Sequence, residues 1–192
     1  MSYRIDAVVL AAGESTRAGE KNKLLLRFHT KTLISHAVDS AIGSTAHTVH
    51  VVTGHEPDEL KAALEGRSVQ FIHNSRFKTG IGSSIVCAIN TLLGQVDGVI
   101  ICLADMPRVQ SHHLDALINQ FTGKTVCTSY YGSRQGHPIL FPENWFDRLR
   151  NLKGDCGARS LLVKSPHEIT AIPSVDDAVL YDIDQLEDLP EP

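Results

Sequence analysis

Short β-branched runs alternate with stretches of helical period along the first two thirds of the chain. The runs IDAVVLAA, HTVHVVTG, SVQFI and GVIICLAD read as strands over residues 5–12, 47–54, 68–72 and 98–105. Between them LISHAVDSAI, PDELKAALEG and GSSIVCAINTLL place apolar residues at helical spacing and predict helices over 33–42, 57–66 and 82–93. Strands alternating with helices predict βαβ units, hence a mostly parallel sheet covered on both faces, a three-layer αβα arrangement. IDAVVLAA and GVIICLAD are almost continuously apolar, as strands buried on both faces must be, and become the central pair.

Ligands of an open α/β sheet bind beyond the carboxyl ends of the strands, so the loops after Ala12 and Leu103 share one edge and bring residues 13–23 close to Asp105. After about residue 125 the pattern loosens into VCTSYYGSRQGHPILF, WFDRLRNLKGDCGARSLL and VLYDIDQLEDLPEP, with neither repeat nor linker composition. One domain over residues 1–192 is expected, with a binding core over 1–123 and a substrate-side extension over 124–192.

Composition narrows the partners. With 192 residues, 42% hydrophobic and 21% charged, the chain is of ordinary globular type, and a formal charge of -4 without a Lys/Arg cluster argues against a nucleic-acid partner. Cys87, Cys102, Cys127 and Cys156 show no CxxC spacing, the N-terminal apolar run is too short for a membrane span, and a cytoplasmic setting is expected. No two of the ten histidines are spaced for metal ligation on one helix; His47 and His50, read as part of one strand, should point to opposite faces.

The loops carry the chemistry. Ala11, Ala12 and Gly13 present backbone almost bare of side chain, and Arg17 and Lys23 add two cations, a combination suited to phosphate. Gly13 and Gly19 fit neither a Walker A loop nor GxGxxG, and a plain strand-to-helix turn with solvated cations has the same composition. Asp105 follows an apolar strand and is either a hard-cation ligand or a turn residue; Asp182 and Asp184, two apart, share a side if extended. Ser83 and Ser84 open a helix, where hydroxyls cap or hold a ligand.

Taken together, LAAGESTRAGEKNKLLL, NSRFKTGIGSSI, LADMP, GSRQGHPILF, GDCGAR and YDIDQLEDL resemble, in order, the motifs of the MobA-like nucleotidyltransferases and in particular their MocA-like group of molybdenum cofactor cytidylyltransferases. The resemblance spans residues 8–189 and implies a Rossmann-like, GT-A-type fold that uses Mg²⁺ to join a nucleotide to a phosphorylated acceptor with release of pyrophosphate. It implies Arg17, Lys23 and Asp105 as catalytic groups and Asp105, Asp182 and Asp184 as metal ligands. Leu10, Ala11, Ala12, Gly13, Asn74, Ser83 and Ser84, with Arg17 and Lys23, then face the nucleotide. Arg134, Gly136, His137, Pro138, Gly154, Asp155 and Arg159 fall on the acceptor side, where the two glycines allow close approach.

LAAG rather than LAGG resembles the cytidylyl enzymes, so CTP is expected ahead of GTP, with a molybdopterin-type pterin as acceptor and a molybdoenzyme as recipient. Ala18, Phe77, Ile81 and residues 30–32 depart from the family pattern and bear on substrate identity. The alternatives are transfer to a sugar or polyol phosphate, and a non-catalytic carrier of the cofactor.

Overall fold

Nine strands and six helices, joined by short 3₁₀ turns, make up the computed structural model, which describes residues 3–14, 22–184 and 188. Strands β1 (Ile5–Ala11), β4 (Val49–Thr53), β5 (Gln70–His73) and β6 (Gly98–Leu103) lie side by side in the order β5-β4-β1-β6, all parallel. Each connection between them passes through a helix: α1 (Leu33–Ile42), α2 (Pro57–Ala63) and α3 (Ile81–Leu92). The elements read from the hydrophobic pattern therefore all form, and the ends differ by a few residues.

Period-two alternation in β1 assigns the two helical layers. Ala7, Val9 and Ala11 pack with Ile34 and Val38 of α1, Leu60 of α2 and Leu114 and Leu117 of α4 (Ser111–Asn119). Val8 and Leu10 pack on the other face with Ile85 and Ile89 of α3, Leu149 of α5 (Phe146–Arg150) and Leu162 of α6 (Arg159–Leu162). The three-layer α/β fold expected from the sequence is the one observed. No helix among the described residues is long and apolar enough to cross a membrane.

The loosened final third joins the same sheet. Strands β7 (Val126–Tyr131), β8 (Arg134–Pro142) and β9 (Ile169–Pro173) extend it in the order β6-β8-β7-β9, with β8 antiparallel to both of its neighbours. Alternation fails as a signal in β7 because Thr128 and Ser129 are both fully buried and satisfied internally. Gln135 Nε2 donates to Thr128 Oγ1 at 3.1 Å, and Ser129 Oγ donates to the Pro138 carbonyl at 3.1 Å. A small ribbon of β2 (Arg27–Phe28) and β3 (Lys31–Thr32) completes the structure and brings Phe28 and Leu33 against Ile183.

Strand β4 begins at Val49, so His47 lies before it and escapes the alternation that was expected to separate it from His50. Both rings turn to the buried Asp6: His50 Nε2 is 2.9 Å from Oδ2 and His47 Nδ1 3.6 Å from Oδ1. This group sits at the start of β1, away from the carboxyl edge.

Gly136 does not leave room for a ligand, contrary to the expectation of open approach there. A Cβ at this position would lie 2.1 Å from the Val179 carbonyl oxygen, because the 3₁₀ turn Asp177–Leu180 packs directly on β8. Gly136→Ala is accordingly expected to destabilise the fold by about 1–3 kcal/mol, read as a lowered urea midpoint with unchanged slope; an unchanged midpoint would show that this contact is not tight.

Candidate active site

The carboxyl edge of β1 and β6 opens into a cavity of about 580 Å³. Its floor is the end of β1: Leu10, Ala11, Ala12 and Gly13 all line it, with Ala11 and Ala12 buried and, among the described residues, nothing within 4 Å of the position a Gly13 side chain would take. The floor is braced by Gly54, where a Cβ would stand 2.8 Å from the Ala12 carbonyl oxygen and 2.5 Å from Phe77 Cβ, so only glycine lets the β4 loop and the Phe77 ring close on β1. His55 N–H donates to that same Ala12 carbonyl at 3.2 Å.

Lys23 is delivered by a 3₁₀ turn, Lys23–Leu25, which Asn22 caps by accepting from Leu24 N–H at 3.1 Å. The Lys23 ammonium lies 2.8 Å from Asp105 Oδ2, 2.9 Å from the Ile183 carbonyl oxygen and 3.5 Å from Asp184 Oδ1. Ile183 is itself fixed, since its N–H donates to the Asp105 carbonyl at 2.9 Å and its side chain is buried beside Phe28 and Leu33. Three segments far apart in the chain thus meet at one ammonium. Burial, then the charge of Asp105, then that of Asp184 hold the Asp182 carboxyl above its usual range, which places all three carboxylates in one field.

The donors suit a hard divalent cation. All are oxygens, and Asp105 Oδ1 is buried with no hydrogen-bond partner among the described residues, while Lys23 takes Oδ2. Among the described residues lining the cavity, Glu14, Asp105, Asp155 and Asp184 stand against Lys23 and Lys78, so a polyphosphate entering it needs further positive charge. Asp105 and Asp184, which share the Lys23 ammonium at the cavity, stand where such a cation would be held, and Asp182 lies close enough to feel both charges.

The remaining sequence expectations divide. Arg17 lies outside the described residues. Ser84 lines the cavity, whereas Asn74 and Ser83 are turned inward: Asn74 Nδ2 donates to Ser83 Oγ at 2.8 Å and to Ser84 Oγ at 3.1 Å, and Ser83 Oγ donates to the Gly80 carbonyl at 2.8 Å. Asn74 and Ser83 therefore shape the loop that carries Phe77 rather than facing the cavity. Gly154 and Asp155 dock on the start of α3, where Gly82 N–H donates to the Gly154 carbonyl at 3.1 Å, and Asp155 reaches the cavity. Pro138 is buried behind a cis His137–Pro138 peptide, and exposed Arg159 and Asp105 both act electrostatically on His137. Sequence reasoning missed Glu14, Phe77 and Lys78 as cavity neighbours; only the fold brings Glu14 within 3.5 Å of Lys78 and sets both beside Asp155.

A second cluster, His112, His113 and Asp176, has ligand atoms within 4.8 Å of one another. His113 Nδ1 accepts from the Gln110 N–H at 3.0 Å, so Nε2 carries the proton and donates to Asp176 Oδ1 at 3.2 Å. With no lone pair to offer a metal, His113 is a strut that joins α4 to the turn leading into Tyr181–Asp184.

A mixed, mainly parallel α/β sheet with a bare backbone floor and a lysine among carboxylates at its carboxyl edge defines a nucleotide-handling class of protein. The model of the MobA-like NTP transferase domain matches residues 7–169, and the chain belongs to that family. It is 35% identical over 118 residues to the bifunctional protein GlmU of Chromohalobacter salexigens, of which it spans only 25%. Nicotine blue oxidoreductase of Paenarthrobacter nicotinovorans is 23% identical over 96% of this chain and 94% of its own.

Among solved structures, the Mycobacterium sp. homologue of Mycobacterium tuberculosis Rv0371c superposes with a TM-score of 0.85 at 27% identity, covering 98% of this chain and 94% of that one. Rv0371c itself, in complex with manganese, gives 0.78 at 23% over 89% and 88%. The 4-diphosphocytidyl-2C-methyl-D-erythritol synthase of Anaerococcus prevotii gives 0.78 at 12% over 98% and 93%, a likeness of fold alone.

Burial lowers the His137 imidazole from 6.5 to about 4. As pH falls through that window the unfolded chain takes up a proton here before the folded chain does, so stability present above pH 6.5 is lost towards pH 4. Comparing urea midpoints at pH 7 and 4.5, the loss should shrink in His137→Gln; equal losses in both proteins would remove His137 as a cause. For Asp182 the sign is opposite: the raised carboxyl favours the fold when protonated, and that contribution disappears as pH rises. Asp182→Asn should therefore raise the metal-free melting midpoint at pH 7, by no more than about 2 °C because the group is largely solvated, and a lowered midpoint would contradict the assigned repulsion.

Proposed function

We propose that the chain is a Mg²⁺-dependent cytidylyltransferase that joins CMP from CTP to the phosphate of a molybdopterin-type pterin and releases pyrophosphate. The observation that carries this reading is the Lys23 ammonium held 2.8 Å from Asp105 and 3.5 Å from Asp184 at the edge of a cavity floored by bare backbone. A related structure holding manganese and a like-folded cytidylyl synthase support the metal and the nucleotide.

In this reading an ionised oxygen of the acceptor phosphate attacks the α-phosphorus of CTP in line, and the bond to the bridging β-phosphate oxygen breaks as pyrophosphate leaves. The attacking oxygen carries no proton at neutral pH, so no side chain need act as base. Carboxylates drawn from Asp105, Asp182 and Asp184 would hold Mg²⁺, which when bound would supply countercharge to the phosphates. The Lys23 ammonium, already at the cavity edge beside Asp105 and Asp184, would face the phosphates and neutralise charge that builds on the departing pyrophosphate. The end of β1 packs against the nucleoside, where buried Ala12 suits the smaller cytosine over guanine.

A full-length relative named as an oxidoreductase makes redox chemistry the competing reading. The oxygen-only carboxylates beside Lys23 suit a hard cation of the kind that countercharges phosphates, and this favours group transfer. Pyrophosphate release from CTP and GTP across molybdopterin, sugar phosphates and polyol phosphates decides between these readings. Turnover with CTP and molybdopterin is expected, and Lys23→Ala and Asp105→Ala should each lower kcat by about 10²-fold or more with fold intact. Turnover with GTP alone would end the cytidylyl claim, and tight CTP binding without pyrophosphate release would instead identify a carrier.

A further inference from the structure

The cavity has a second lysine in its lining. Lys78 stands on the 3₁₀ turn Phe77–Thr79, and its ammonium lies 3.5 Å from Oε1 of Glu14, the carboxylate that follows the backbone floor. The two lysines are held differently. Lys23 is engaged by Asp105, the Ile183 carbonyl and Asp184 and is largely shielded from water, whereas Lys78 is exposed and Glu14 is its one ion-pair partner among the described residues.

The turn beneath Lys78 is fixed although the side chain is not. Thr79 N–H donates to the Arg76 carbonyl at 2.9 Å, Ser83 Oγ donates to the same carbonyl at 3.0 Å, and Arg76 N–H donates to Asn74 Oδ1 at 3.0 Å. On one side Phe77 is wedged against Gly54, and on the other Gly80, at φ 102°, closes on Gly154 and Asp155. A rigid turn therefore carries a flexible four-carbon stem to the cavity wall. An exposed lysine–carboxylate pair is weak, and a phosphate oxygen competes well for its ammonium. Lys78 can change partners without disturbing Lys23, Asp105 or Asp184.

We propose that Lys78 is a phosphate-binding residue of this cavity and that Glu14 is its resting partner, an internal anion that the phosphates of an entering nucleotide displace. Glu14 keeps the ammonium at the cavity while it is empty and lowers its affinity for anions until a phosphate takes the carboxylate's place. An uncharged nucleoside gains nothing from the exchange, so the pair favours ligands that carry phosphate. The inference rests on the transferase reading in one respect, that the ligand of this cavity bears a phosphate chain.

Calorimetric titration of the intact chain with CTP and, separately, with inorganic tripolyphosphate, each with Mg²⁺, tests the assignment. Lys78→Ala is expected to weaken both ligands about tenfold, with a shallower dependence on salt, while Lys78→Arg keeps most of the affinity. Glu14→Gln is expected to tighten both about two- to fivefold, and the gain to be smaller when Lys78→Ala is present, because no ammonium is left to release. Both altered side chains are exposed, and unchanged circular dichroism and urea midpoints confirm that the variants fold. Equal affinities in the wild type and Lys78→Ala, or no binding of either probe to the wild type, overturn the assignment of Lys78. An equal gain from Glu14→Gln with and without Lys78 overturns the exchange, since Glu14 then acts by its own charge alone. If Lys78→Ala loses tripolyphosphate yet the wild type releases no pyrophosphate from any nucleotide with any acceptor, the inference stands and the transferase reading falls. If pyrophosphate is released with the same CTP KM in the wild type and Lys78→Ala, the transferase reading stands and the inference falls.

Discussion

One ammonium group holds the functional edge together. Lys23 reaches Asp105 across 82 positions of sequence and the Ile183 carbonyl across 160, so the β1 loop, the end of β6 and the closing acidic segment converge on a single positive charge. Without that charge, Asp105 and Asp184 would stand unopposed at the cavity edge, and Asp182, raised first by burial and then by their two charges, lies in the same field. A group of acids kept tolerable by one lysine can accept a divalent cation with little rearrangement, because the cation takes over the role the lysine already fills.

The scaffold exists to hold that convergence. Parallel strands β1 and β6, buried on both faces, place their carboxyl ends side by side, and the antiparallel β8 brings the β7–β8 turn up past the same edge. Close packing then leaves little freedom: Gly54 against Ala12 and Phe77, Gly80 against Gly154, Gly136 against Val179. Each is a backbone contact that a single methyl would disturb, which is why the loops around the cavity are rich in glycine while the helices behind it are apolar.

The first two thirds of the fold were legible because strand and helix periods there match burial; Lys23 and Asp105 were legible because they sit on loops after apolar strands, and Asp184 through its spacing to Asp182 and the resemblance of the closing motif. The hydrophobic pattern could not show β7, where Thr128 and Ser129 are buried by hydrogen bonds to Gln135 and Pro138 instead of by apolarity. Nor could it show that Asn74 and Ser83 satisfy each other, or that His47 lies outside its strand and turns to Asp6 beside His50. Arg108 and Asp177 look like ordinary surface charges in the sequence; only the fold seats Arg108 on the Tyr181 ring and packs residues 177–180 on β8. Resemblance of motifs supplied roles, and the fold decided which side chains are in position to play them.

The central claim is that the carboxylates around Lys23 form a cation-dependent nucleotide site. Calorimetric titration of CTP into the intact chain, with and without Mg²⁺, measures this most directly. The account predicts tight binding only when Mg²⁺ is present, and a loss of that dependence in Asp105→Asn. Equal CTP affinity with and without the cation, in the wild type and in Asp105→Asn alike, would contradict it.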